Sequence, residues 1–239
     1  ITGRMTAANA ITGAGAINVN SGGTLTLATG GGTISNTITN NASGNLAVAG
    51  TSTLATNLQN NGNMSITGSL NMPTRTLSNA GTISISGQNS LTAASYTHTN
   101  ASKQIYNINS SSDYAQLTCV GCATSLNNST LEVSIPTNAT INGNFTIFSA
   151  SSISGTPNIV GRSSLIERMV TINVGNTSIN VTVAQQPVIT TGITGKILNV
   201  LNAMNNNITN AGQQQLINAF TASNRGDLNI DLNLMIPIS

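Results

Sequence analysis

The chain has 239 residues, with seven Lys and Arg against five Asp and Glu for a formal net charge of +2. Charged residues make up 5% and aromatics 3%, with no Trp, whereas an ordinary soluble domain is about 25% charged. The 38% of apolar residues excludes a disordered segment, which combines low hydrophobicity with high net charge, and the scattered cations (Arg4, Arg75, Lys103, Arg162, Arg168, Lys196, Arg225) form no basic patch for nucleic acid.

The first residues, ITGRMTAANAITG, lack the apolar core of a signal peptide. They read as a start in mid-repeat, so the expectation is an excised fragment whose export signal lies elsewhere. From there a short unit recurs: a glycine followed by two apolar residues at alternate positions. It appears as Gly23-Thr24-Leu25-Thr26-Leu27, Gly44-Asn45-Leu46-Ala47-Val48, Gly62-Asn63-Met64-Ser65-Ile66 and Gly81-Thr82-Ile83-Ser84-Ile85. The leading apolar residues 25, 46, 64 and 83 are spaced by 21, 18 and 19, the period of a solenoid turn.

Each unit carries a second apolar position (Ile34, Leu54, Met72, Leu91) and a third (Ile38, Leu58, Leu77, Tyr96). Three short strands per turn follow, and alternation within each strand points one side chain inward and the next outward. The predicted fold is all-β: a right-handed parallel β-helix with three-strand rungs of about 20 residues. A sandwich would instead predict hairpin turns and no rung-to-rung register.

Asparagines keep the same period, with Asn40-Asn41, Asn60-Asn61 and Asn79 standing before the corner glycines. They are read as a structural ladder at Asn41, Asn61 and Asn79, in which each amide bridges to the next turn and the corner uses the left-handed backbone that Asn and Gly tolerate. A calcium site is disfavoured there, because calcium calls for carboxylates and residues 1–112 contain none.

From Tyr114 the pattern changes. Tyr114-Ala115-Gln116-Leu117-Thr118-Cys119-Val120-Gly121-Cys122 leads to Ser129-Thr130-Leu131-Glu132-Val133-Ser134-Ile135-Pro136, then to Ile141-Asn142-Gly143-Asn144-Phe145-Thr146-Ile147-Phe148 and an Ile153-Ser154-Gly155 stop. After Val183 the spacing becomes helical, with Ile197, Leu201, Met204 and Ile208, then Leu216, Ile217 and Phe220, before Asp227-Leu228-Asn229-Ile230-Asp231-Leu232-Asn233-Leu234-Met235-Ile236-Pro237. Residues 113–239 resemble the C-terminal folding core, or autochaperone region, of bacterial autotransporter passengers and the helical exit that precedes their translocator barrel.

The resemblance implies three parts: β-helix rungs over 1–112, a folding core and β cap over 113–190, and a short α-helical linker over 191–239 toward an outer-membrane barrel. It implies that the folding core emerges first and templates the stacking of earlier rungs, with Tyr114, Leu117, Leu131, Phe145, Ile147 and Phe148 as nucleus candidates. It also implies a passenger at the bacterial cell surface or secreted through periplasm and outer membrane, whose partner is a host-cell or matrix ligand or a glycan.

The Cys119-Val120-Gly121-Cys122 spacing is compatible with a redox motif, half a zinc site or a small disulfide loop. Zinc needs further ligands, and the single His98 is distant in sequence. A redox pair opens a helix in a βαβ setting, whereas this one lies between strands. The disulfide is favoured, since an exported chain meets an oxidising periplasm. No catalytic residue, metal ligand or cofactor site is expected. A triad would have to use His98 with Asp113, Asp227 or Asp231 outside any recognisable motif, and His98 is read as a solvent-facing rung residue. The acids Asp113, Glu132, Glu167, Asp227 and Asp231 are dispersed, unlike the clustered carboxylates of glycan hydrolases and lyases. The rival expectation is an enzymatic β-helix whose active residues lie outside this segment.

Overall fold

The computed structural model describes residues 1–28, 32–87, 90–99, 101–136, 141–163 and 168–185. The described residues are all-β and wind into a parallel β-solenoid. The helical stretch expected over 191–239, from Ile197 to Phe220, lies outside them.

The glycine-led strands form one sheet. Among the described residues it is eight-stranded, stacking Arg4–Ala7, Thr24–Leu27, Asn45–Val48, Asn63–Ile66, Thr82–Ile85, Lys103–Asn107, Thr130–Ile135 and Asn158–Ser163, each parallel to the next. The predicted register is the observed one: Leu25 stands opposite Leu46, Leu46 opposite Met64 and Met64 opposite Ile83. Met5 extends this column upstream, and Gln104, Leu131 and Ile159 extend it downstream. Period two then decides burial: Leu25 and Leu27, Met64 and Ile66, Ile83 and Ile85 are all buried while the residues between them face outward. Each such aliphatic side chain contributes about 1.5–3 kcal/mol when taken from water.

The remaining strands make two further faces. Thr33–Ile34 and Thr51–Leu54 lie on one, Ala16–Val19, Thr37–Asn40 and Leu58–Asn60 on the other, and the long strands Ser69–Asn79 and Ser90–His98 bend across the corner between them. In Ser69–Asn79 the register breaks between Met72 and Thr76, where Pro73, Thr74 and Arg75 are exposed. Proline, with no N–H to give to a ladder, fits such a break. The third predicted column holds, since Ile38 pairs Leu58, Leu77 pairs Leu58 and Leu77 pairs Tyr96. The second is corrected in one place: Leu91 stacks on Leu70, and Met72 faces Ala93. Both Leu91 and Ala93 point inward, so period two alone could not tell which of them meets Met72.

The parallel order ends at Gly143–Ser149. One edge of that strand pairs parallel with Gln116–Cys119, Leu117 opposite Phe148, and the other pairs antiparallel with Ser178–Gln185, which forms a second antiparallel ladder with Arg168–Val174. On the first sheet Lys103 and Glu132 make an ion pair at 2.6 Å across adjacent strands.

At the corner that opens each turn, the backbones come close. Thr24 N–H donates to Gly3 O, Asn45 to Gly23, Asn63 to Gly44, Thr82 to Gly62, Lys103 to Gly81, Thr130 to Ser102 and Asn158 to Ser129. A Cβ on Gly81 would lie 2.1 Å from the carbonyl oxygen of Gly62, and one on Gly62 would lie 2.4 Å from that of Asn41. Glycine is required here for lack of room. The left-handed backbone is taken by Gly22 (φ 74°) and Ser43 (φ 61°), not by the ladder asparagines as the sequence had implied, because the longer corners insert two residues, Ser21-Gly22 and Ala42-Ser43, just before the glycine. Gly81→Ala is expected to destabilise the fold by at least about 2 kcal/mol, whereas Gly3→Ala, whose added carbon meets nothing within 4 Å, is expected to stay within about 0.5 kcal/mol. Urea midpoints of the two variants check this, and equal midpoints would refute the steric account.

Candidate functional site

The last residue of the third-face strand occupies one column: Val19, Asn40, Asn60, Asn79 and His98 stand opposite one another turn by turn. Three of these are fully buried amides. Asn40 Nδ2 donates to Asn60 Oδ1 at 2.7 Å and to the Asn63 carbonyl at 2.9 Å; Asn60 Nδ2 donates to Asn79 Oδ1 at 2.8 Å and to the Thr82 carbonyl at 3.1 Å. All the amides point the same way, so each bond polarises the next. The buried ladder is therefore Asn40, Asn60 and Asn79. Of the expected members, Asn79 belongs to it, while Asn41 and Asn61 stand one residue later, half-buried at the corner. One residue is enough to reverse the side of a strand on which a side chain falls.

Asn79 Nδ2 passes the chain of bonds to Tyr96 Oη at 3.4 Å, and in the neighbouring strand Tyr106 Oη donates to Gln104 Oε1 at 2.9 Å. Both tyrosines are fully buried. Burial pushes the Tyr96 phenol well above the ordinary tyrosine range, against the weaker lowering by hydrogen bonds with Asn79 and Gln104. Burial also raises Tyr106, and the nearby Tyr96 raises it further.

Beside this column runs an outer one, fixed by backbone bonds from Asn41 N–H to Val19 O, Asn61 to Asn40, Ala80 to Asn60 and Thr99 to Asn79. Asn41 Nδ2 donates to Asn20 Oδ1 at 2.9 Å, and Gln59 Nε2 donates to Asn61 Oδ1 at 3.3 Å. The next position is Ala80. There a pocket of about 140 Å³ opens, lined by Gln59, Asn61, Ser78, Asn79, Ala80, Thr97, His98 and Thr99. His98 is half-buried in it, not solvent-facing as expected. Its Nδ1 lies 3.2 Å from the Thr99 carbonyl; a carbonyl only accepts, so that nitrogen carries a proton, and in the neutral imidazole Nε2 keeps a lone pair. Nε2 is screened from solvent and has no hydrogen-bond partner among the described residues. The sequence hinted at this pocket: Asn40-Asn41 and Asn60-Asn61 become Asn79-Ala80 at the equivalent corner.

The other expected residues lie farther along the solenoid. Cys119 and Cys122 are joined by a disulfide across a turn, Cα–Cα 5.6 Å, with Val120 exposed and Gly121 at φ 75°. Leu117, Leu131, Phe145, Ile147 and Phe148 are buried, and Tyr114 is half-buried. They meet in pairs: Tyr114 sets its ring edge-on to Phe145 at 5.1 Å, and Phe148 lies 6.0 Å from Tyr96. Asp113 accepts a bond from Asn109 Nδ2, and it is not among the residues lining the His98 pocket. Among the described residues no group of three His, Cys, Asp or Glu is arranged to hold a metal ion. No family model matches the chain, and no curated protein matches it.

Two outcomes are expected. Asn60→Ala leaves Asn79 Oδ1 buried and unpaired and removes a donor pair, costing roughly 2–4 kcal/mol, while Asn61→Ala stays within about 0.5 kcal/mol; equal urea midpoints would show that the inner amides are not the ladder. Because Tyr96 and Tyr106 hold their protons more tightly folded than unfolded, their stabilisation is complete below the unfolded value of about pH 10 and declines above it. The urea midpoint is therefore expected to be lower at pH 11 than at pH 8, the unfolding free energy falling by up to about 1.4 kcal/mol per pH unit above pH 10 for each phenol, and Tyr106→Phe should flatten that decline.

Proposed function

We propose that the chain is a non-catalytic part of a surface-displayed passenger of the autotransporter type, a stalk or adhesin scaffold whose C-terminal region nucleates folding during passage through the outer membrane. The observation that carries this reading is the change of pairing along one continuous core: parallel turns without a carboxylate through residue 112, then a strand whose far edge is taken by an antiparallel ladder.

A solenoid grows from a nucleus by nearest-neighbour contacts, and its last turn needs a cover that stops further edge pairing. Residues 113–190 supply both in this reading. Tyr114, Phe145 and Phe148 concentrate aromatic contacts where the earlier turns have aliphatic ones, and the Ser178–Gln185 strand closes the edge of Gly143–Ser149. The winding in this reading is right-handed, the hand of nearly all parallel crossovers. The Cys119–Cys122 loop encloses so few residues that an oxidised chain can still be threaded in extended form.

Deleting residues 113–190 from the full-length product should abolish protease-resistant material at the cell surface while leaving the barrel inserted. Surface protease digestion with detection of an epitope in the first 112 residues measures this. Display of a normally resistant stalk would sink the proposal.

A further inference from the structure

We propose that the notch at Ala80 is a binding pocket for one neutral pyranose unit of a saccharide. The notch exists because the outer asparagine column stops one turn before the inner one. Asn41 and Asn61 fill the corner position with an amide in successive turns, Ala80 puts a methyl there, and the inner column continues beneath it through Asn79 to His98. The wall is missing while the polar floor remains.

Size and chemistry together narrow the occupant. The pocket measures about 140 Å³ and is open to solvent, and since roughly 150 Å³ accommodates a benzene-sized ring, it takes one face of a pyranose while the remaining hydroxyls stay in water. The lining sets amides, hydroxyls and an imidazole beside methyl groups, so the six-membered ring that suits it carries both hydroxyls and a C–H face. Asn61 and Gln59 present an amide edge at one end. Ser78 and Thr97, linked by a bond from Thr97 Oγ1 to Ser78 Oγ at 3.1 Å, present hydroxyls along one side. His98 Nε2, screened and without a partner among the described residues, is in the neutral imidazole an acceptor for a hydroxyl proton. Among the described residues no Lys, Arg, Asp or Glu lines the pocket, so none of them neutralises a carboxylate, sulfate or phosphate on the ligand. A sugar hydroxyl both donates and accepts, and so satisfies an imidazole acceptor, amide donors and hydroxyls alike. The Ala80 and threonine methyls offer the apolar contact that a ring's C–H face needs. With few hydrogen bonds and no aromatic platform, a single unit binds with a Kd on the order of 1 mM.

The pocket belongs to the assembled turns around residues 59–99, so this inference extends the surface-scaffold reading without resting on it. The test is made on the purified 239-residue chain and fails or succeeds independently of the secretion experiment. His98 is the single histidine, so its imidazole gives one resolved NMR signal. Methyl glycosides of glucose, galactose, mannose and N-acetylglucosamine are titrated separately, with glucuronate as the anionic counterpart. At least one neutral glycoside is expected to shift the His98 signal saturably, and glucuronate to bind roughly tenfold more weakly. Ala80→Asn restores the amide that neighbouring turns already carry and should abolish the shift with an unchanged urea midpoint. Should that variant fold poorly, Gln59→Ala at an exposed position should weaken binding roughly fivefold. No saturable shift with any neutral glycoside, tighter binding of glucuronate, or undiminished binding by both variants would each overturn the proposal.

Discussion

Everything in this molecule hangs on the carbonyl-to-amide contact between successive turn corners. From Gly3 to Ser129 the backbone oxygen at the corner receives the N–H of the residue that opens the next turn, and through the Gly62 and Gly81 turns there is no room for even a methyl between layers. A contact that close fixes the vertical spacing and the register together. A one-residue slip in any turn would move its entire inward set to the outer face, which is why turns of 18 to 21 residues absorb their length differences at corners. Gly22, Ser43 and the Pro73-Thr74-Arg75 break are the places where the extra residues go.

Once register is fixed, a buried amide column becomes affordable. An isolated asparagine in an aliphatic core would cost the desolvation of both its donor and its acceptor. Stacked in register, Asn40, Asn60 and Asn79 satisfy one another and also reach the carbonyls of Asn63 and Thr82 in the adjoining sheet. The ladder consequently penalises mis-stacking more strongly than aliphatic neighbours do: a displaced leucine finds another apolar contact, whereas a displaced amide finds none. Asn40 Oδ1, at the Val19 end, has no partner among the described residues, as befits a column that begins with an aliphatic residue.

The solenoid was legible in the sequence because period two and a repeat near 20 both leave marks that need no tertiary knowledge. Leu25, Leu46, Met64 and Ile83 announced their own column, as did Ile38, Leu58, Leu77 and Tyr96. The sequence was less able to distinguish Asn40 from Asn41 or Asn60 from Asn61, because two adjacent asparagines carry the same composition signal and only strand phase tells which is inside. Leu91 was placed opposite the wrong partner for a related reason: the bent strands add residues at the corner without disturbing alternation. Gln104 and Tyr106 are hard to recognise in the sequence as polar members of an inner column, because Lys103 and Ile105 beside them blur the pattern. His98 looked like a surface residue since nothing local shows that the ladder position has reached it.

The inner and outer asparagine columns end at different turns, and the mismatch has two effects at once. Inside, the amide run terminates on the Tyr96 hydroxyl, so the polar chain is handed to an aromatic ring that in turn packs near Phe148; the core changes from aliphatic to aromatic without leaving Asn79 unsatisfied. Outside, the column has already lost its amide at Ala80, and the His98 imidazole, which sits where another ladder amide would, has no amide above its Nε2 among the described residues. A regular repeat has no pocket because each turn fills the same space as the last. The pocket here arises where the repeat changes its residues faster on one side of the strand than on the other, while the backbone register that holds both sides stays the same.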